Sequence, residues 1–242
     1  MSTAGGDLKN AVHQFKIPMI FNIPSSIEEK HKLLSKISPP YAHFSLSGYL
    51  DRCITHLLAE QLAPNSIVVE VGTYLGSTMA IMAHANKDLI LHAFDIFDDH
   101  TYDPAQNKFF EQALGKGKKR TLENVHKFLS QFYSNIILHQ VDVNKEIEFD
   151  QEVDVIIEDG DHTEPALSKS LDFWLPKVKV NGFVLLHDHR PWLELNDPNR
   201  FSAVDQHVKN LKNDSKWKYL GMQTGYHFSE PSSYAIFQRI SN

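Results

Sequence analysis

Two short clusters of aspartate and histidine stand where the chain leaves apolar runs that are typical of buried strands. Residues 158–162 (EDGDH) follow one such run, and residues 187–189 (HDH) follow another. Because the carboxyl ends of parallel strands meet at one edge of a sheet, we expect the two clusters to lie close together. Converging carboxylates repel one another unless a proton or a cation lies between them, and their oxygens suit a hard ion such as Mg²⁺. The clusters therefore predict a divalent-metal site.

A third segment, residues 70–78 (EVGTYLGST), is predicted to form the end of a buried strand, a tight glycine turn and the start of a helix. Backbone N–H groups at a helix start carry partial positive charge, so this junction suits a small ligand with an anionic group. The dinucleotide fingerprint Gly-x-Gly-x-x-Gly needs a glycine two positions after Gly72, where this chain has Tyr74. A tyrosine side chain there blocks the close approach of a pyrophosphate, which disfavours a nicotinamide cofactor.

A further acid follows at the distance expected for a nucleoside site. Residues 89–94 (LILHAF) are predicted to form a strand, and Asp95 stands at its end, about twenty residues past the glycine turn. A doubly wound α/β fold places at this point the carboxylate that binds ribose hydroxyl groups. The spacing therefore predicts that Asp95 binds the ribose of a cofactor.

The elements that position these residues alternate along the chain. Strand and helix patterns follow one another from about residue 46 to residue 211, and the chain closes with a predicted strand pair after residue 217. This alternation favours one α/β domain, which we assign to residues 46–242. Residues 1–45 contain four prolines and are predicted to form an appended N-terminal cap segment.

Composition limits the classes of function. The chain has 242 residues and a formal net charge of −6, which argues against a nucleic-acid partner because phosphate contacts need a surplus of Lys and Arg. The dense basic stretch, residues 116–120 (KGKKR), is predicted to be a solvated loop. The single cysteine, Cys53, excludes an internal disulfide and is predicted to be a packed side chain. No apolar run reaches membrane-spanning length and no signal peptide is recognisable, so we expect a soluble cytoplasmic protein without a membrane partner.

The motif Glu-x-Gly-x-Tyr-x-Gly at residues 70–76 resembles the first motif of class I S-adenosylmethionine-dependent methyltransferases, and its tyrosine resembles the catechol O-methyltransferase branch. Residues 159–162 (DGDH), with the later His-Asp pair, also resemble the natural-product O-methyltransferases that act on macrolide sugars and cephalosporins. The resemblance implies a Rossmann-like, doubly wound and mostly parallel sheet of seven strands with one antiparallel strand. It also implies methyl transfer from S-adenosylmethionine to a hydroxyl of a small molecule, assisted by a divalent cation, most simply Mg²⁺.

The resemblance assigns roles to particular residues. His162 stands where catechol O-methyltransferase has its catalytic lysine, so it is expected to accept the hydroxyl proton, with Asp159 beside it. The implied metal ligands are Asp159, Asp188 and His189, the last in place of the usual asparagine, and Asp161 or His187 are alternative ligands. The implied cofactor-binding residues are Glu70, Gly72, Tyr74, Gly76, Thr78, Asp95, Asp142 and Asp159.

Other interpretations stay open at the level of sequence. A metal-independent class I methyltransferase would use His162 or His187 as the base. A mononuclear iron oxygenase would use two histidines and a carboxylate, although that site is more typical of β-barrel folds. A cofactor-binding subunit would bind the cofactor without turnover. The expected partner is a hydroxylated small molecule, and a homodimer is expected because two-fold dimers are the commonest soluble oligomers.

Overall fold

A computed structural model describes residues 49–98, 110–111, 113–143, 145, 147–189, 202–227 and 230–242 of the chain. The predicted cap, residues 1–45, lies outside the described residues. The α-helices whose bounds the structure gives are α1 (Tyr49–Gln61), α2 (Ser77–Ala85), α3 (Leu122–Leu129), α4 (Ala166–Trp174) and α5 (Ser202–Asn213). A 3₁₀ turn, Leu175–Lys177, follows α4.

Seven strands form one sheet. They are β1 (Ile67–Val71), β2 (Ile90–Asp95), β3 (Ile136–Gln140), β4 (Val153–Glu158), β5 (Val178–His187), β6 (Trp217–His227) and β7 (Glu230–Arg239). The strand order is β3-β2-β1-β4-β5-β7-β6, in which β1 to β5 run parallel and β7 is antiparallel to both of its neighbours. The predicted Rossmann-like, doubly wound sheet of seven strands with one antiparallel strand is confirmed.

The order of the strands locates a crevice. From β1 the chain proceeds outward through β2 and β3, and β4 then returns to the other side of β1. The connections on the two sides of this point leave in opposite directions, and a doubly wound sheet binds its ligand outside the carboxyl ends of the strands at such a switch. The glycine turn follows β1 and the first polar cluster follows β4, so both lie at this switch.

Helices cover both faces of the sheet. Neighbouring residues of a strand point to opposite faces. Val68 accordingly packs in one core cluster with residues of α1 and α2, whereas Val69 packs in another with residues of α4 and α5. Cys53 lies in α1 and is only 3% exposed, which confirms the prediction of a packed side chain. Two buried layers therefore hold the central strands rigidly.

The start of β5 differs from the sequence-based prediction. An Asn-Gly pair such as Asn181-Gly182 predicts a turn that precedes a strand beginning at Phe183, but the strand begins at Val178 and passes through both residues. Asn181 has a φ of 72°, and the pairing with β4 shifts register between Val153 and Val155. The turn residues thus form an irregularity inside β5 because the strand pairs with β4 on both sides of them. None of the helices in the described ranges is long and apolar enough to cross a membrane.

Candidate active site

The three segments singled out from the sequence meet at one edge of the sheet. Val71 at the end of β1 is in register with Glu158 of β4, and Glu158 is in register with Leu186 of β5. The pairing continues one residue further, where the backbone N–H of Asp159 donates to the carbonyl oxygen of Val71 at 2.9 Å. The glycine turn and both polar clusters are therefore brought together, as the sequence predicted.

The turn after β1 requires its glycines. Gly72 has a φ of +86°, and a Cβ atom added there would lie 2.0 Å from the backbone oxygen of Asp159. Gly76 has a φ of +79° and forms the N-cap of α2, with the side chain of Leu129 2.5 Å from the position of its missing Cβ. Since Gly76 has no side chain to cap α2, the first-turn N–H groups suit the carboxylate of an amino-acid ligand. The close backbone packing fits the predicted cofactor turn.

Glu70 lies beneath this turn and is only 1% exposed. Its Oε2 accepts a hydrogen bond from the hydroxyl of Thr73 at 3.0 Å, and the hydroxyl of Thr78 also bonds to this carboxyl. Burial, together with the negative charge of Asp159, raises the pKa of Glu70 to about 8. The carboxyl is therefore mostly protonated at neutral pH and links the turn to α2 from within. Contact of Glu70 or Thr78 with a cofactor stays a prediction.

Asp95, the predicted ribose ligand, is held by three donors. Its Oδ2 accepts from the backbone N–H of Tyr74 at 2.8 Å, and its Oδ1 accepts from the backbone N–H of Phe97 at 2.8 Å. The third donor is the guanidinium of Arg120, whose Nη1 lies 2.7 Å from Oδ1. Tyr74 has a φ of 55°, in the left-handed region that non-glycine residues seldom adopt. The carboxylate therefore ties the glycine turn to the end of β2.

Arg120 corrects the prediction that residues 116–120 form a solvated loop. Lys116, Lys118 and Lys119 are exposed as predicted, but Arg120 is fully buried. The physical cause is that a buried carboxylate needs a cation beside it. Asp95 is such a carboxylate, and Arg120 is the cation that faces it. The prediction that Asp95 ends a buried strand, combined with the one dense basic stretch, could have indicated this pair.

A second group of side chains converges at the ends of β4 and β5. One ligand atom from each of Asp159, His162 and Asp188 lies within 4.8 Å of the other two. His162 stands between the carboxylates, with Nδ1 3.5 Å from Oδ2 of Asp188 and Nε2 3.9 Å from Oδ1 of Asp159. Two carboxylates and an imidazole form a donor set that fits a divalent cation. The structure thus brings together two of the three predicted metal ligands and the predicted base.

The charges around this group are partly balanced by His187. Its Nδ1 lies 2.7 Å from Oδ1 of Asp159, and its Nε2 lies 3.8 Å from Oδ2 of Asp51, a buried residue of α1 that sequence reasoning missed. Burial acts to lower the pKa of His187, but the carboxylates of Asp159, Asp51 and Asp188 outweigh it and raise this pKa well above its usual value. For His162 the burial effect is larger than the opposing effect of Asp159 and Asp188, so its pKa is lowered. His187 is therefore the charged imidazole and His162 the neutral one.

The remaining predicted residues take other positions. The Nδ1 atom of His189 lies 2.5 Å from Oδ1 of Asp205 on α5, and both side chains are buried. His189 is not in the three-residue group found among the described residues, and its role as a ligand stays a prediction. Asp142 follows β3 and forms an ion pair of 3.8 Å with Lys145. The N–H of Val141 donates to the backbone oxygen of Asp95 at 2.8 Å, which places Asp142 near the predicted ribose ligand.

The family model that the chain matches, together with the fold, identifies it as a class I S-adenosylmethionine-dependent methyltransferase. The chain belongs to the family described as a methyltransferase domain, whose model matches residues 69–189. No curated protein sequence is significantly similar to the chain.

Solved structures with this fold include methyltransferases of several kinds. A proposed O-methyltransferase from Klebsiella pneumoniae superposes with a TM-score of 0.56 at 14% identity, over 91% of this chain and 93% of that one. A proposed RNA methyltransferase from Pyrococcus horikoshii superposes with a TM-score of 0.55 at 10% identity, over 89% of this chain and 100% of that one. The N-methyltransferase NodS from Bradyrhizobium japonicum superposes with a TM-score of 0.51 at 12% identity, over 78% of this chain and 94% of that one. At these identities the likeness concerns the fold alone.

Proposed function

We propose that the protein transfers a methyl group from S-adenosylmethionine to a hydroxyl of a small molecule, and that a divalent cation, in the first place Mg²⁺, assists the transfer. The observation that carries this proposal is the group formed by Asp159, His162 and Asp188, which lies directly beside the glycine turn. When bound, S-adenosylmethionine supplies an electrophilic methyl group and the cation lowers the pKa of the acceptor hydroxyl. Both carboxylates of the group would hold the cation.

The chain's own residues orient the donor. The first-turn N–H groups of α2 would bind the amino-acid end of the cofactor, because Gly76 leaves that helix start open. Asp95 would receive the ribose hydroxyls, and Asp142 would lie by the adenine edge. Methyl transfer needs the acceptor oxygen in line with the donor, so a rigid site lowers the barrier by fixing both reactants. The backbone contact between Gly72 and Asp159 supports this role, since it joins the cofactor turn to the acceptor side.

His162 is proposed as the proton acceptor. Its lowered pKa keeps the imidazole neutral at physiological pH, and a neutral imidazole can take the hydroxyl proton. The positive charge that then forms would be stabilised by the carboxylates of Asp159 and Asp188, which face its two nitrogens. The same geometry supports His162 as a third metal ligand, and the two roles are separable by experiment.

A metal-independent transfer is the second candidate. It is favoured by the contact of 2.7 Å between His187 and Asp159, because a charged imidazole already compensates this carboxylate. In that mechanism His162 alone would remove the proton, and the acceptor would need no cation.

The acceptor is proposed to be a hydroxylated small molecule, such as a catechol or a natural-product sugar, and not RNA. The net charge of −6 supports this choice, since an RNA-binding face needs a surplus of basic side chains. The buried single cysteine is consistent with a reducing cytoplasm, which we propose as the location. A homodimer remains the expected state.

The proposal is tested by methyl transfer from labelled S-adenosylmethionine to panels of catechols, sugars, amines and RNA, in chelator and with added Mg²⁺. We expect transfer to hydroxylated acceptors only, and a rate in chelator lower by at least about a hundredfold. Asp188→Asn should reproduce this loss with Mg²⁺ present, because it removes a negative ligand, while Asp172→Asn on the exposed side of α4 should leave the rate unchanged. Full activity in chelator would favour the metal-independent candidate, and methylation of RNA alone would refute the small-molecule acceptor.

The variant His162→Gln separates the two roles of this residue. If His162 is the base, the variant should bind Mn²⁺, followed by electron paramagnetic resonance, as tightly as the wild type while kcat falls by about a hundredfold or more. A loss of Mn²⁺ affinity equal to that of Asp188→Asn would instead identify His162 as a ligand.

A further inference from the structure

Arg120 is a buried cation, 0% exposed, that joins three segments around the cofactor turn. Its Nη1 donates to Oδ1 of Asp95 at 2.7 Å and to the backbone oxygen of Tyr74 at 3.4 Å, and its Nη2 donates to the backbone oxygen of Asp98 at 2.9 Å. These acceptors belong to the end of β2, to the glycine turn and to the chain that follows β2. One guanidinium therefore fixes the relative position of all three.

The surroundings of Arg120 make its position specific. The guanidinium carbon lies 5.9 Å from the ring centre of Tyr74 and 5.8 Å from that of Phe97. The next residue, Thr121, is the N-cap of α3 and accepts a hydrogen bond from the N–H of Asn124, which fixes the backbone beside Arg120. A lysine has one nitrogen and no planar group, so it cannot reach Asp95 and Asp98 together or stack in the same way.

These contacts define how many further hydrogen bonds the Asp95 carboxylate can accept. Among the described residues, two donors reach Oδ1 and one reaches Oδ2. A carboxylate oxygen can accept about two hydrogen bonds, so Oδ2 retains room for a hydroxyl of a ligand. Removing the guanidinium would leave a buried negative charge without its cation, and the carboxylate would turn toward solvent or take up a proton. Either change would remove the oriented acceptor.

We propose that Arg120 is a positioning residue for cofactor binding, which acts by holding the Asp95 carboxylate and the backbone of Tyr74 in place and does not itself touch the cofactor. The proposal rests on the proposed function, in which Asp95 binds the ribose of S-adenosylmethionine. It predicts that loss of Arg120 weakens binding of the cofactor. The KM of the acceptor should stay unchanged, since Asp159 and Asp188 on the acceptor side are held by other contacts.

The test is a double-mutant cycle in which the dissociation constant of S-adenosylhomocysteine is measured for the wild type, the two single variants and the double variant. This ligand carries the same ribose as S-adenosylmethionine. Arg120→Met and Asp95→Asn should each raise this constant by about tenfold or more, the range expected for a hydrogen bond to a charged group. In the Asp95→Asn background, Arg120→Met should change the constant by less than about threefold, because the residue through which it acts is already altered. Lys118→Met, two positions away and exposed, is the matched control and should bind like the wild type.

Additive effects of the two substitutions would overturn the proposal, because Arg120 would then act independently of Asp95. An unchanged constant in Arg120→Met would overturn it as well. If Arg120→Met does not fold, the same cycle is run with Arg120→Lys, which keeps the charge and loses the contact to Asp98. If the wild-type protein binds no S-adenosylhomocysteine, the proposed function itself is refuted. If the wild type binds it but the effects of the two substitutions are additive, only the role of Arg120 is refuted.

Discussion

At the scale of single residues, the site is organised by how the charge of each acid is balanced or removed. Asp95 is neutralised by Arg120, and Asp159 faces the charged His187. In the part of the chain that the structure describes, Glu70 and Glu158 are hydrogen-bonded to hydroxyl and backbone N–H groups, and burial raises the pKa of each to about 8, so both keep a proton at neutral pH. The two protonated acids support neighbouring segments from within, since Glu70 bonds to Thr73 of the glycine turn and Glu158 bonds to Gly160 and Ser170.

Glu70 gives a pH prediction. Its pKa is raised to about 8 in the folded protein, so the folded state holds a proton that the unfolded chain loses at a lower pH. The stability that comes from this proton is complete at low pH and is lost as the pH rises through the folded-state pKa. Glu70→Gln stays neutral at every pH. As the pH rises from about 5 to about 8, its free energy of unfolding should therefore increase relative to that of the wild type by at least about 1 kcal/mol.

Urea unfolding at several pH values measures this difference. The control is Glu152→Gln, an exposed residue whose substitution should give a curve parallel to that of the wild type. A curve for Glu70→Gln that also runs parallel to the wild type would show that Glu70 does not carry the proton.

At the scale of elements, the site depends on the contact between the turn after β1 and the end of β4. The N–H of Asp159 pairs with Val71, and the space above Gly72 is filled by the backbone of Asp159. The glycine turn and Asp159, the first of the proposed metal ligands, are therefore parts of one continuous structure. A shift in the turn would be transmitted to the acceptor side.

Gly72→Ala tests this contact. The new Cβ would lie 2.0 Å from the oxygen of Asp159 and would also occupy a positive φ, so we expect a loss of stability of about 2 kcal/mol or more and a loss of S-adenosylmethionine binding. Gly117→Ala is the matched control: its φ of +72° imposes similar backbone strain, but nothing lies within 4 Å of the added Cβ. Urea unfolding and calorimetry of both variants separate strain from the steric effect, and equal losses in the two variants would contradict the proposed importance of the contact.

At the scale of the whole molecule, the sequence was sufficient for the fold and for part of the site. Alternating apolar runs predicted the strands, and the parallel arrangement then placed Asp159 and Asp188 at one edge. The partners Arg120, Asp205 and Asp51 were not predicted. Each reaches its partner from a different helix or loop, so the contact depends on how these elements pack and not on spacing within one motif. His189 illustrates the limit, because its pairing with Asp205 depends on where α5 packs.

The central claim is that the switch between β1 and β4 binds S-adenosylmethionine, and titration calorimetry tests it most directly. S-adenosylmethionine is titrated into metal-stripped protein, the titration is repeated with Mg²⁺, and NAD serves as the control ligand. We predict micromolar binding of S-adenosylmethionine in both conditions and no binding of NAD, because Tyr74 stands where a dinucleotide site needs glycine. The absence of S-adenosylmethionine binding in both conditions, or equal binding of NAD, would contradict the account.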